Sequence, residues 1–263
     1  MEETKAKKRS LEELGIKNQL IAFGMLGLFL GIWWIAAAII DNPIYLPKPD
    51  AVFRLVFTNA AIWKNLFASF QRILKGVLLA VLIGTPIALV CNQVRGVKSF
   101  VDSTMRGFSY APLPAFTTLF MLLFGIGETP KIGIILFACL TSFIPFCIRE
   151  LDSVPANILN NARSQGFKGV PLLFHIVVRY SLPEVLRGIV MLLCEAWTYV
   201  LIAEAIACKL GIGHLIYVSG LRLKVSMVYA CVVCIIFINW GTHFVLIWLL
   251  KKAFPARYAN ERG

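Results

Sequence analysis

The residues in this sequence whose chemistry is hardest to ignore are two acids, Glu195 and Glu204, set inside an otherwise apolar run from Gly188 to Cys208. An ionised carboxylate is costly in hydrocarbon, so each must face a protein interior, a polar partner or a water-filled path. They are about two and a half helical turns apart and so project from opposite faces of a helix, which gives them different tasks. Glu195 lies deep in the run, where it either borders a permeation path or makes an interhelical hydrogen bond. Glu204 lies near the outer end, ahead of Gly211-Ile212-Gly213, and is placed to hold that external loop through a basic residue.

Other chemistries find no support. The sequence has no Gly-x-x-x-x-Gly-Lys-Ser/Thr segment and no Gly-Lys dipeptide, so it cannot build the backbone cradle and lysine that hold nucleotide phosphates. His175, His214 and His243 are scattered, with no His-Glu-x-x-His, and no metal site is expected. Cys231 and Cys234 lie in an apolar run without a second ligand pair and read as packing. We expect no catalytic residue, metal or cofactor, and no enzyme. The net charge of +12 comes from Lys and Arg spread between apolar blocks, without the aromatic-interleaved stripe of a nucleic-acid binder.

Those acids need elements to carry them. Hydrophobic residues make up 59% of the chain and charged ones 15%, against about 45–50% and 25% in soluble domains, so the surplus apolar surface must face lipid. An all-α integral membrane protein follows, because apolar runs of about 20 residues fit spanning helices, which satisfy their own backbone, and exceed the roughly 10-residue strands of a barrel. Six blocks approach the necessary length: Gln19–Ile40, Gly76–Val94, Gly107–Gly127, Ile132–Ile148, Gly188–Cys208 and Val225–Leu250. With both termini inside, the inward segments hold 17 of the 26 basic residues, so the positive-inside rule selects that orientation. Residues 1–18 are then a cytoplasmic N-terminal segment, 19–252 the transmembrane unit and 253–263 a cytoplasmic tail.

Two segments depart from simple spans. Pro112 and Pro114 should break or kink the third one, so that Tyr110 to Phe116 either borders a path or marks a packing kink. Between the fourth and fifth spans, about 150–187, the chain predicts short helices broken at Pro155, Gly166 and Pro171, with Leu173, Phe174 and Val177 on an apolar face. This is either a docking surface for another subunit or a connector lying on the bilayer. Arg72 and Lys75 precede the apolar centre of the second span and either snorkel to external headgroups or, for Arg72, attract anions.

The insert resembles the EAA loop of permease subunits of bacterial ABC importers. Asn160, Asn161 and Ala162 stand at the Glu-Ala-Ala positions, followed by Gly166 and Ile176; Val178-Arg179 replaces one Leu-Pro, and Leu182-Pro183 supplies a second. Further segments are similar to the nitrate/sulfonate/taurine-type permeases: Leu46-Pro47-x-Pro49, Phe124-Gly125-Ile126-Gly127-Glu128 and Gly211-Ile212-Gly213. The resemblance implies the type I importer fold in a bacterial inner membrane. It further implies two permease copies, expected to be a homodimer, two ATPase subunits that bind ATP, and an extracytoplasmic binding protein delivering nitrate, a sulfonate such as taurine, or a vitamin-related pyrimidine precursor.

On this resemblance Asn160, Ala162, Arg163, Gly166, Phe174, Leu182 and Pro183 form the coupling loop, with Phe174 and Leu173 fixing it to the permease's own inner helix ends. Gly166 either turns the chain against the ATPase or is a plain helix cap. Glu195, Tyr110, Pro112 and Pro114 are the candidate path, and Glu204, Gly211 and Gly213 the external support. The alternative is a stand-alone secondary transporter or channel that uses its intramembrane Glu residues to couple ions.

Overall fold

The computed structural model describes residues 24–25, 27–205, 208–255 and 257–258, and every regular element among them is helical. In chain order these are α1 (Gly27–Ile40), α2 (Pro49–Thr58), α3 (Ala60–Gln93), α4 (Arg95–Ser109), α5 (Leu113–Phe124), α6 (Glu128–Asp152), α7 (Ala156–Ser164), α8 (Gly169–Leu172), α9 (Val178–Ala205), α10 (Ile212–Leu221) and α11 (Val225–Ala253). A π turn over Leu173–Val177 joins α8 to α9, so that Gly169–Ala205 runs as one helix. The expected N-terminal segment 1–18, the start of the first span at Gln19, and residues 256 and 259–263 of the expected tail 253–263 lie outside the described residues.

Helix α3 begins well before the expected span at Gly76. Asn59 Oδ1 accepts from Ala61 N at 3.0 Å and caps it, and Ile62, Asn65, Leu66, Ser69, Arg72 and Ile73 bury one face at helical spacing. Charged residues lower the hydropathy of this part without interrupting its helix. Thirty-four residues make a rod of about 51 Å, longer than the roughly 30 Å hydrocarbon core.

Helix α6 is the axis of the bundle, packed by α3 and α9 and flanked by α4 and α5. It buries Ile134, Ile135, Cys139, Phe143, Ile144, Cys147 and Ile148. Glycines let the backbones close up, as they do between helices in lipid: a Cβ on Gly76 would lie 2.5 Å from Ile135 Cγ2, and one on Gly188 would lie 2.0 Å from Phe146 Cε1. Cys231 and Cys234 are free and buried in the same core. Helix α11 turns Ile236, Phe237, Trp240, Phe244 and Trp248 outward, the surface a bilayer would cover.

The expected third span, Gly107–Gly127, is not one helix: it takes in only the end of α4 and then α5, the two bent by 101°, while most of α4 forms from residues 95–106, expected as a connecting segment. Pro112 caps α5 and Pro114 occupies its first turn, where a missing N–H costs nothing, while the residue before each proline is disfavoured in helix. Four other helices are long and apolar enough to cross a membrane, and the bent pair is a candidate fifth. Pro171 does not break the later insert. It sits in the first turn of α8, and the chain continues helically past Leu182 and Pro183, which therefore belong to a long helix and not to a loop. The true insert is shorter than expected: α7 and the turn at 165–168.

Candidate functional site

At the α10 end of the bundle, polar residues on α3 recur at Asn65, Ser69 and Arg72, one helical stripe facing α6 and α9. Glu204 is completely buried there. Its carboxylate accepts from Arg72 Nη1 at 2.6 Å, from Ser69 Oγ, 2.7 Å from either oxygen, and from Gly213 N at 2.9 Å. Arg72, itself 6% exposed, uses the rest of its fork on Glu128, Nε to Oε2 at 2.5 Å and Nη2 to Oε1 at 2.8 Å. Nη1 also donates to Leu210 O at 2.7 Å, and Lys131 Nζ reaches Glu128 Oε1 at 3.0 Å. Planar bidentate pairing is what a guanidinium offers and an ammonium cannot.

This knot fastens the loop that starts α10. Three successive backbone donors find side-chain acceptors: Gly211 N on Asn65 Oδ1 at 2.8 Å, Ile212 N on Ser69 Oγ at 2.8 Å, and Gly213 N on Glu204. The orphan N–H groups of a helix start are thus met from α3 and α9, and the carboxylate stands where the helix dipole favours it. Gly211 has φ +155°, and a Cβ there would lie 2.4 Å from the Glu204 carboxylate. A Cβ on Gly213 would meet Leu201 O at 2.7 Å.

Glu204, Gly211 and Gly213 therefore meet in one place. Arg72 does not reach headgroups or stand open to anions; two carboxylates saturate it. Lys75 is exposed, beside a cleft of about 600 Å³ that Lys131 and Lys209 also line. Asn65, Ser69 and Lys131 went unrecognised as partners in the sequence, where the only signal was the polar stripe across an apolar helical face.

At the opposite end, α7 stands out from the bundle. Asn160 and Arg163 are exposed and Ala162 is buried within the chain. Gly166, at φ +92°, ends α7 in a Schellman turn: Phe167 N donates to Ala162 O at 3.1 Å and Gly166 N to Arg163 O at 3.0 Å. The geometry of Gly166 is thus that of a helix cap. Leu173 and Val177 are buried while Phe174 is 50% exposed; Phe174 does not fix the insert to the inner helix ends, because the helix turns Leu173 and Val177 to the core instead. Lys98 pairs with Asp152, and Ser181 Oγ donates to Glu150 O at 2.8 Å, bracing the base of the insert. Leu182 is exposed, and Pro183 is buried with its carbonyl taken by Tyr258 Oη at 3.2 Å.

Glu195 faces away from Glu204, as their spacing requires, and is exposed. With Arg106, Ser109, Thr141, Ser142 and Arg149 it lines a cleft of about 520 Å³ between α4, α6 and α9. Tyr110 is 86% exposed, and neither it nor Pro112 nor Pro114 lines this cleft, so the structure does not gather the four candidate path residues.

The comparisons agree with this architecture. The chain is 28% identical over 244 residues to the taurine transport system permease protein TauC of Escherichia coli strain K12, covering 89% of each. It is 25% identical over 209 residues to the putative aliphatic sulfonates transport permease protein SsuC of the same organism, covering 78% of this chain and 79% of that one. An inward-facing structure of the MetNI methionine ABC transporter superposes with a TM-score of 0.62 at 14% identity, over 78% of this chain and 97% of that one, and so shares the fold. The binding-protein-dependent transport system inner membrane component model matches residues 55–254, and this multi-pass membrane protein belongs to that family of ABC transporter permeases.

Proposed function

We propose that the chain is the path-forming subunit of an ABC importer, two copies of which carry a small solute inward while separate ATPase subunits hydrolyse ATP against α7. Both termini and α7 lie in the cytoplasm, in keeping with the positive-inside count, and a binding protein outside the cell delivers the solute at the α10 end. Nitrate, a sulfonate such as taurine, or a pyrimidine precursor is the solute class, drawn from the family and from relatives named for taurine and aliphatic sulfonates.

The observation that carries this reading is the form of the insert. A nine-residue helix is stopped by a left-handed glycine, presents Asn160 and Arg163 outward and follows closely on the end of α6, which Asp152 pairs to Lys98 of α4. Such a feature transmits a push from a partner into α6 and α9 without bending. With Asn160 in place of an acid, the contact to the ATPase is a neutral hydrogen bond.

The test is co-expression with candidate ABC ATPase subunits and reconstitution with a candidate binding protein. Co-purification and vanadate-sensitive uptake are expected, and Gly166→Val should lower solute moved per ATP. Vanadate-insensitive uptake by the isolated chain, the behaviour of a stand-alone carrier, would overturn the proposal.

A further inference from the structure

The cleft beside Glu195 has a charge layout that selects among solutes, an inference that rests on the reading of this chain as a permease. Its floor is α6, with Thr141, Ser142 and Arg149; one wall is α4, with Arg106 and Ser109; the other is α9, with Glu195. Ser142 Oγ and Glu195 Oε2 each lie 3.5 Å from Tyr199 Oη, which sets Glu195 close to the level of the Thr141 turn. Helix α4 runs antiparallel to α6, with Lys98 at Asp152 and Phe108 edge-on to Phe137 at 5.6 Å, so Arg106 stands near that same level on the far wall. Arg149 lies about 12 Å further along α6 toward α7.

The charges in this space are separated and unequal in their engagement. Arg106 is neutralised by Asp102, Nε at 3.0 Å and Nη2 at 2.7 Å from Oδ2. Among the described residues Arg149 has no ion pair or hydrogen bond, and the one hydrogen bond of Glu195 comes from Tyr199 Oη at 3.5 Å, the outer limit of such a bond. One free cation and one free anion thus share a cleft that starts about 15 Å from the α10 end of α9, half the thickness of the hydrocarbon. A plain anion in this space leaves Glu195 facing a like charge; a plain cation does the same to Arg149. The hydroxyls of Thr141 and Ser142 donate to Ala138 O at 2.8 and 3.4 Å and keep their lone pairs as acceptors.

We propose that this cleft binds a small zwitterion, its ammonium held by Glu195 and the α6 hydroxyls and its oxyanion held by Arg149. The volume suits a molecule of a few heavy atoms with water around it. Selection by this chain would then act after the binding protein's own, and would separate amino-sulfonates or amino acids from simple sulfonates and nitrate.

The test uses the purified chain in lipid nanodiscs and three matched probes, 2-aminoethanesulfonate, ethanesulfonate and ethylammonium, with binding read by saturation-transfer NMR. The zwitterion should bind about tenfold more tightly than either singly charged probe, the worth of one charge-assisted hydrogen bond. Glu195→Gln should bring the zwitterion down to ethanesulfonate, Glu195→Asp should restore part of the gap, and Arg149→Gln should weaken both sulfonates while sparing ethylammonium. Equal binding of the two sulfonates, no effect of Glu195→Gln, or no binding of any probe would overturn the proposal. Co-purification with the ATPase, scored on the same variants, keeps the outcomes apart: loss of that partnership defeats the permease reading, whereas a transporter that assembles but shows no zwitterion preference defeats this inference alone.

Discussion

Removing Arg72 should unfasten the α10 end of the bundle more severely than any surface ion pair could. Arg72→Met deletes hydrogen bonds to two carboxylates and one carbonyl. The Glu128 share is small, because that side chain is 57% exposed and water can replace its partner, worth about 0–1 kcal/mol. The Glu204 share decides the outcome. With no exposure of its own, Glu204 keeps only Ser69 and Gly213 as donors, and stranding one member of a buried pair costs about 3–5 kcal/mol. Glu204→Leu strands less, since Arg72 retains Glu128, and the double replacement Arg72→Met/Glu204→Leu leaves neither charge buried. The double variant should therefore be more stable than the sum of the single losses by about 0.5–3 kcal/mol, the range for directly coupled sites. Denaturant titration of the three proteins in mixed micelles measures this. Strict additivity, or an Arg72→Met protein as stable as the parent, would refute the argument that the charge on Glu204 depends on Arg72.

Three smaller changes follow from the same geometry. Gly211→Ala places a methyl against the Glu204 carboxylate and should expose the 208–213 loop to limited proteolysis while the α7 end stays resistant. Gly76→Val forces α3 away from Ile135 and should cost about 1–3 kcal/mol as an overpacked contact, read as a lower melting temperature. Lys98→Ala removes a half-exposed pair with Asp152 and should change stability by less than about 1 kcal/mol, which a melting curve in parallel would show.

Much of this architecture was legible because hydropathy marks what lipid will cover. The long apolar runs became α6, α9 and α11, and the prolines at 112 and 114 marked the break in the third. The misjudged boundaries share one cause. Charges inside α3 and α9 held back the start of the apolar reading to Gly76 and to Gly188, while both helices begin earlier because their polar residues have partners or face outward. Glu204 announced itself as an acid out of place, and the Gly-x-Gly beyond it named the loop. Arg72 did not, because a cation near a span end reads equally as a headgroup contact, and only the fold brings residues 72, 128 and 204 to one point. The resemblance implies an anchoring role for both Phe174 and Leu173, and the π turn that begins at Leu173 buries Leu173 while leaving Phe174 half exposed.

Because one guanidinium ties α3, α6 and α9 together at the loop that begins α10, those helices cannot slide past one another at that extremity. Any displacement introduced at the far extremity, beside Asp152, must swing them as a single stave about a hinge near Arg72. The width of the opening so produced grows with distance from the hinge, and the part of the 34-residue rod beyond Arg72 turns a few degrees of tilt into a few ångströms of travel, since about 32 Å separates Arg72 from the far tip at Gln93.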